Sequence, residues 1–356
     1  MSQAAVPFQM ERLGVVMQPD PAIPEEAEGV LNPGAARGPD GELYLFARVV
    51  GRGNYSRIGI ARVRFDAAGN PAGVTRLGYA LEPREPYELR PYEGTGGCED
   101  PRVTYVEPLG LYVMVYVAWG PYGPRLALAI SQDARSWQRL GLVDFEPDPD
   151  PRYDVFFDAY HNKNGSFFPE AIRGPHGQAC LALVHRPVYE DRESAPEGIA
   201  DPRPSIWLSY CPLEDTRRDV RALTELREHH VVIDPELCWE RLRIGGGAPP
   251  LRTPLGWLLI YHGVTGHIAR RPGERQWVRY VAGALVLDAD DPHLVRYRSP
   301  TPILEPETEE ERSGVVPSVI FPTGLDDRGN GRVDVYYGMA DQRIGVARLQ
   351  VPATLP

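Results

Sequence analysis

The chain has 356 residues, 42% of them apolar, and a formal net charge of −11. That apolar share supplies a sizeable core, and the length fits one large domain or two ordinary ones. The negative balance excludes nucleic acid as the main partner, because phosphate backbones are gripped by concentrated positive charge.

Residues 1–28 are proline-rich and acidic and read as a lead-in segment. The first repeat follows as Asn32-Pro33 to Arg37, the turn Gly38-Pro39-Asp40-Gly41, Leu43 to Arg48, and Ile58 to Val63. A Pro-Asp-Gly turn between short apolar runs predicts strands, the proline fixing φ and the glycine supplying a positive φ. The second repeat keeps this layout at Asp100-Pro101 to Tyr105, Leu111 to Trp119 and Leu126 to Ser131. The third is expected at Phe168-Pro169 to Ile172, Cys180 to Arg186 and Ser205 to Tyr210. Residues 213–243 hold extra length, with a short helix expected between Leu213 and Glu228. The fourth repeat is read at Pro249 to Arg252, Trp257 to Gly263 and Tyr280 to Leu287, and the fifth at Pro317 to Phe321, Val333 to Tyr337 and Ile344 to Leu349.

The prolines that open these repeats are spaced by 68 residues in three intervals and by 80 in the other. Such a period marks a repeat architecture. Five units of three to four strands, each too small to bury its faces alone, predict an all-β fold: a five-bladed β-propeller forming a single domain over 1–356. A β-sandwich also has many short strands, but it does not predict five equivalent prolines. In a propeller the first strand of each blade lines the channel, so the residues before the prolines face its mouth. These are Asn32, Asp100, Phe168, Ala248 and Val316, and Asp100 alone is acidic. By two-residue alternation Arg102 and Thr104 share its face, while Glu99 takes the other.

Of the 38 basic residues, all but Lys163 are arginine. A site that needs a compact ammonium on a flexible stem cannot accept arginine's planar fork, which marks Lys163 as a candidate ligand. Cys98, Cys180, Cys211 and Cys238 form no C-x-x-C pair, so neither a zinc site nor a disulfide framework is expected. Asp133, Asp154, Asp158 and Asp201 lack the alternating pattern of a calcium loop, and no metal is expected. The Gly245-Gly246-Gly247 run lacks the spacing of a nucleotide loop. The opening MSQAAVPFQMERLG shows no basic-then-apolar leader, and no apolar run reaches about 18 residues; a cytoplasmic protein with no membrane partner is expected.

The strings GGCEDPRV, NKNGSFFPE, LALVHRP, IGGGAPPLRTPLGWLLIYHGV, AGALVLDADDP and YYGMADQRIGVARL, in this order between about residues 30 and 350, resemble glycoside hydrolase family 130. The resemblance implies a five-bladed propeller that cleaves β-mannosides with inversion. It implies a β-mannoside oligosaccharide and inorganic phosphate as the partners, phosphate as co-substrate with no cofactor, and α-mannose 1-phosphate as product. It makes Asp100, in E-D-P-R, the general acid, passing its proton through a hydroxyl of the bound mannose. A leaving glycosidic oxygen needs such a proton, and a carboxyl group in the mouth can supply it.

The resemblance further implies Arg48, Arg125, Lys163 and His262 as phosphate ligands, since phosphorolysis needs cations opposite the leaving group. Arg102, Tyr105 and Tyr261 are read as substrate-binding, with Tyr160 and Phe168 as further aromatics for sugar stacking. The family more often shows K-D where this chain has Lys163-Asn164. Two other readings compete. One is an inverting hydrolase on the same fold, with Glu305 or Glu307 activating water and two carboxyl groups about 6.5–9.5 Å apart. The other is a non-catalytic glycan-binding propeller. Loops such as 213–243 offer room for contact between copies of the chain.

Overall fold

Short runs rich in Val, Ile, Leu and Tyr between Gly, Pro and Asp turns pair with their sequence neighbours as antiparallel strands, the least costly closure for such a pattern. The computed structural model describes residues 7–90, 94–147, 157–189, 201–269 and 274–356, with Ala195 and Ile199. Asp154 lies outside the described residues. The fold is all-β, and the strands form five successive four-stranded units. Unit 1 is Gly29–Arg37, Leu43–Gly51, Tyr55–Phe65 and Pro71–Leu81; unit 2 is Gly96–Val106, Leu111–Gly120, Gly123–Ser131 and Gln138–Leu142. Unit 3 is His161–Phe167, Ala179–Val188, Ile206–Pro212 and Glu225–Ile233; unit 4 is Arg243–Gly246, Gly256–His267, Trp277–Leu287 and Val295–Arg298. Unit 5 joins Ile320–Asp327, Arg332–Met339 and Arg343–Gln350 to Gln9–Met17 from the other end of the chain.

Five apolar clusters lie between consecutive units. Phe46, Met114 and Tyr116 join units 1 and 2. Val115, Phe167 and Trp207 join 2 and 3, and Phe168, Trp257 and Leu259 join 3 and 4. Ile260, Val286 and Val335 join 4 and 5, and Val16, Leu45 and Val346 join 5 back to 1. The packing therefore returns to its start, and each buried aliphatic side chain contributes about 1.5–3 kcal/mol.

Three expectations change. The segment read as a lead-in supplies Gln9–Met17, which pairs antiparallel with Arg343–Gln350 and closes the last unit. The residues read as surplus at 213–243 contain the helix Leu213–Arg218, as expected, but also the outer strand of unit 3, Glu225–Ile233. The inner strand of unit 3 is His161–Phe167, which ends just before the position expected at Phe168-Pro169, so that Asn164 stands four residues ahead of Phe168. What the inner strands of units 1 to 3 share is a bulge rather than a proline. The ladder skips two residues between Leu31 and Gly34, between Glu99 and Arg102, and between Lys163 and Ser166. Within the skips Asn32, Asp100 and Asn164 take φ values of 44°, 44° and 60°. Asn and Asp tolerate this left-handed region best, because a short polar side chain can bond locally there.

On the second strand, the residue before the position that Arg48, Arg186 and His262 hold in units 1, 3 and 4 also repeats. In units 2, 4 and 5 it is a buried tyrosine: Tyr116, Tyr261 and Tyr337. Each hydroxyl donates to a buried glutamate, Glu88, Glu240 or Glu311, at 2.7, 2.7 and 2.9 Å. Each glutamate also accepts two backbone N–H bonds and pairs with an arginine, respectively Arg139, Arg298 and Arg12. A buried carboxylate is tolerated only when it is paired and hydrogen-bonded in this way.

Candidate active site

A cavity of about 430 Å3 is lined by residues from all five units. The bulges at Asn32, Asp100 and Asn164 bring those three side chains to it, together with Arg48, Lys163 and Arg186. Backbone strain of this kind clusters at functional sites, where the surrounding fold holds it in place.

Charge on one side of the cavity is paired. Arg48 donates to Glu99 Oε1 at 2.7 Å and to Asp100 Oδ1 at 3.2 Å, and also to Ser56 and Asn54. Asn32 donates its amide to the same Asp100 Oδ1 at 2.8 Å. Lys163 Nζ lies 3.9 Å from Glu99 Oε2 and 4.2 Å from the centre of the Trp119 ring. Burial opposes the charge on Asp100, but Arg48, Lys163 and the Asn32 amide outweigh it and hold the carboxyl below its usual range. Burial raises Glu99, and it lowers Lys163 against the pull of Glu99 and Asp100. Asp341, in a turn with φ 51°, is a further carboxylate on this side; burial pushes it up to about 6, with Arg48 opposing and Asp100 and Glu99 assisting.

The other side carries cations without anions. Arg186 is 7% exposed, its Nε has no hydrogen-bond partner, and no carboxylate pairs with it among the described residues. Burial and the neighbouring Arg243 lower it to about 9. Arg243 donates to the Tyr280 hydroxyl at 2.5 Å. His262 is fully buried between the rings of Phe321 and Tyr280, at 4.6 and 5.8 Å. Neither of its ring nitrogens has a partner among the described residues. Burial first, then Arg186, Arg102 and Arg243, keep this imidazole neutral. Asn164 Oδ1 is likewise buried and unpaired. Gly245 makes room for both: a Cβ there would sit 2.5 Å from Asn164 Oδ1 and 2.7 Å from His262 Cε1.

The structure sorts the residues expected from sequence. Asp100, Arg48, Lys163 and His262 are brought together at the cavity. Arg125 is not among its lining residues; its guanidinium donates to the Tyr160 carbonyl. Arg102 is 1% exposed and is consumed as a strut, donating to the carbonyls of Gly247 at 2.6 Å, Asp100 at 3.0 Å and Gly246 at 3.3 Å. Tyr261 is buried in its glutamate contact, and Tyr105 packs its exposed ring on Tyr112 at 4.9 Å. Phe168 packs on Trp257 and Tyr160 on Tyr189, so neither faces the cavity lining. Glu305 and Glu307 pair with Arg279 and Arg12 instead of facing Asp100.

Glu99 had been assigned to the far face, but the bulge breaks the alternation and lets one guanidinium hold both neighbours. Asn164, Arg186, Arg243, Tyr280 and Asp341 were missed, whereas Asn32 lines the cavity as its place before Pro33 implied. Arg186 had a readable signal, since it follows the same second-strand position in V-H-R that Arg48 and His262 occupy in F-A-R and I-Y-H. Asp341 had none, being defined by a tight turn after the second strand of unit 5.

The all-β fold thus surrounds one cavity with paired carboxylates on one side and cations that have no carboxylate partner among the described residues on the other. The chain belongs to glycoside hydrolase family 130: the family model described as beta-1,4-mannooligosaccharide phosphorylase matches residues 6–355. It is 30% identical over 319 residues to the 1,2-beta-oligomannan phosphorylase of Thermoanaerobacter sp. (strain X514), covering 88% of this chain and 87% of that protein. It is 29% identical over 256 residues to the beta-1,4-mannooligosaccharide phosphorylase of Ruminococcus albus, covering 70% of this chain and 61% of that protein. Among solved structures, the beta-1,2-mannobiose phosphorylase of Listeria innocua in complex with beta-1,2-mannobiose superposes with a TM-score of 0.71 at 24% identity, covering 96% of this chain and 97% of that one. No described helix is long and apolar enough to cross a membrane.

Proposed function

We propose that the protein is an inverting β-mannoside phosphorylase whose five units are the blades of a propeller, with the reaction run in the cavity they share. The observation that carries this reading is the burial of Arg186 and His262 on the cationic side without a carboxylate or hydrogen-bond partner among the described residues for the Arg186 Nε and the His262 ring nitrogens. Burying Arg186 without an anion and His262 without a hydrogen-bond partner costs several kcal/mol unless a ligand completes them. A phosphate dianion does so, accepting from Arg186, Arg243, Lys163 and an N–H of neutral His262. Family membership supplies the substrate class, and inorganic phosphate is the co-substrate.

Asp100 is the general acid in this reading. In the empty site it is ionised, held so by Arg48 and Asn32. Entry of the phosphate dianion adds negative charge nearby and raises its affinity for a proton. The proton then passes to the leaving oxygen as phosphate attacks the anomeric carbon from the opposite face, releasing α-mannose 1-phosphate and the shortened sugar. Arg48 and Asn32 orient Asp100, and Asp341 and Glu99 set the field around Arg48.

Incubating the protein with β-1,2- and β-1,4-linked mannobiose, with and without inorganic phosphate, tests this. Mannose 1-phosphate formed in the presence of phosphate supports the reading. Equal cleavage to free mannose in both conditions would overturn it in favour of hydrolysis, with Asp341 the cavity carboxylate left to activate water.

A further inference from the structure

Among the described residues, unit 3 carries no tyrosine–glutamate–arginine clamp. At the position held by Tyr116, Tyr261 and Tyr337 stands His185, which is fully buried. Its Nδ1 meets the Asn162 side chain at 3.0–3.3 Å, and its Nε2 meets Ser209 Oγ at 2.8 Å. Ser209 Oγ meets His229 Nδ1 at 2.7 Å, and His229 Nε2 meets the Glu146 carbonyl at 2.9 Å. Phe145 and Phe157 pack their rings on both imidazoles, at 4.7 to 5.8 Å between centroids. The chain of bonds is therefore dry as well as continuous.

Its place in the sheet gives it a task. Lys163 and Arg186 are direct cross-strand partners, and both line the cavity. Asn162 and His185 immediately precede them, so alternation sends this second pair to the opposite face. Tying Asn162 to His185, and His185 to the next strand, fixes where Lys163 and Arg186 stand. A clamp of the kind in units 2, 4 and 5 would do the same, but it would place a carboxylate behind Arg186, which has none among the described residues, and a further one behind Lys163, which already stands 3.9 Å from Glu99 Oε2. At low dielectric such a charge cancels much of the attraction they offer. Burial holds His185 far below its usual range, so it stays uncharged.

Resting on the phosphorylase reading above, we propose that the Asn162–His185–Ser209–His229 chain is a neutral positioning device for the phosphate site, replacing the charged clamp used elsewhere in the fold. The residues act through Lys163 and Arg186 and are not themselves catalytic.

Ser209→Ala cuts the chain at its middle with little change in volume. The expected result is an increase of about 10-fold in the KM for phosphate, with kcat at saturating phosphate and the KM for the mannoside within about two-fold of wild type. Ser209→Thr, which keeps the hydroxyl, restores the phosphate KM. An unchanged phosphate KM in Ser209→Ala, whatever happens to Tm, would overturn the proposal. Should the wild-type protein form no mannose 1-phosphate, the phosphorylase reading falls, and the device is judged by the rise in Tm that added phosphate produces. A smaller rise in Ser209→Ala than in wild type supports it; equal rises, or none in either protein, overturn it.

Discussion

The two sides of the cavity handle charge in opposite ways. Around Arg48 most charges are paired: Glu99 and Asp100 share one guanidinium, and Lys163 stands beside Glu99, with Asp341 the further carboxylate near Arg48. Around His262 the cations Arg186 and Arg243 have no carboxylate among the described residues, and the imidazole has no hydrogen bond. A self-neutralised side orients chemistry and accepts an uncharged sugar, whereas a side left positive waits for an anion. The first is stable empty. The second is completed only when occupied.

The strongest way to break the paired side is Asp100→Asn, which keeps shape but removes the transferable proton. We expect kcat to fall about 10^3-fold while the circular dichroism spectrum is preserved. Arg186→Met attacks the unpaired side and should separate function from stability. The phosphate KM should rise about 100-fold, as loss of a charge-assisted bond predicts, yet Tm in phosphate-free buffer should rise because an uncompensated buried charge has gone. Phosphate at about 100 times its Kd should stabilise the wild type by about 2.7 kcal/mol, and Arg186→Met should lose most of that shift.

A pH titration sharpens the comparison within the paired side. Asp341 is raised in the folded state, to about 6. The folded protein therefore holds more protons than the unfolded chain between the ordinary aspartate range and about pH 6, and this group's contribution to stability falls as pH rises through that window. Asp100 is lowered, so its contribution is present above the ordinary range and is lost as pH falls through the depressed value. Asp341→Asn should flatten the first slope and leave the second, as read from Tm against pH. The smallest effect is expected away from the cavity. Tyr337→Phe leaves Glu311 one donor short and should cost about 1–3 kcal/mol in urea unfolding, with kcat and both KM values unchanged.

The strands and their order were legible because apolar runs, turns and a repeat length are local facts. That Asp100 and Lys163 stand at the cavity was legible from the one acidic repeat start and the one lysine, and His262 was legible through the family motif. The register of the third unit was not. The proline at 169 kept the spacing, but the left-handed residue that turns a side chain into the cavity is Asn164, followed by glycine. Alternation likewise misplaced Glu99, because a bulge adds a residue that no periodicity announces. Arg102 looked like a ligand and is a strut, a distinction that depends on carbonyls of Gly246 and Gly247 more than 140 residues away.

The strand Gln9–Met17 gives the fold a temporal order. It is made before units 1 to 4, whereas its partner Arg343–Gln350 is made after them. At about 5–20 residues per second, units 1 to 4 have tens of seconds to assemble before the ring can close. During that interval the closing strand is unpaired, and once Arg343–Gln350 emerges its open edge can accept the Gln9–Met17 segment of any copy of the chain.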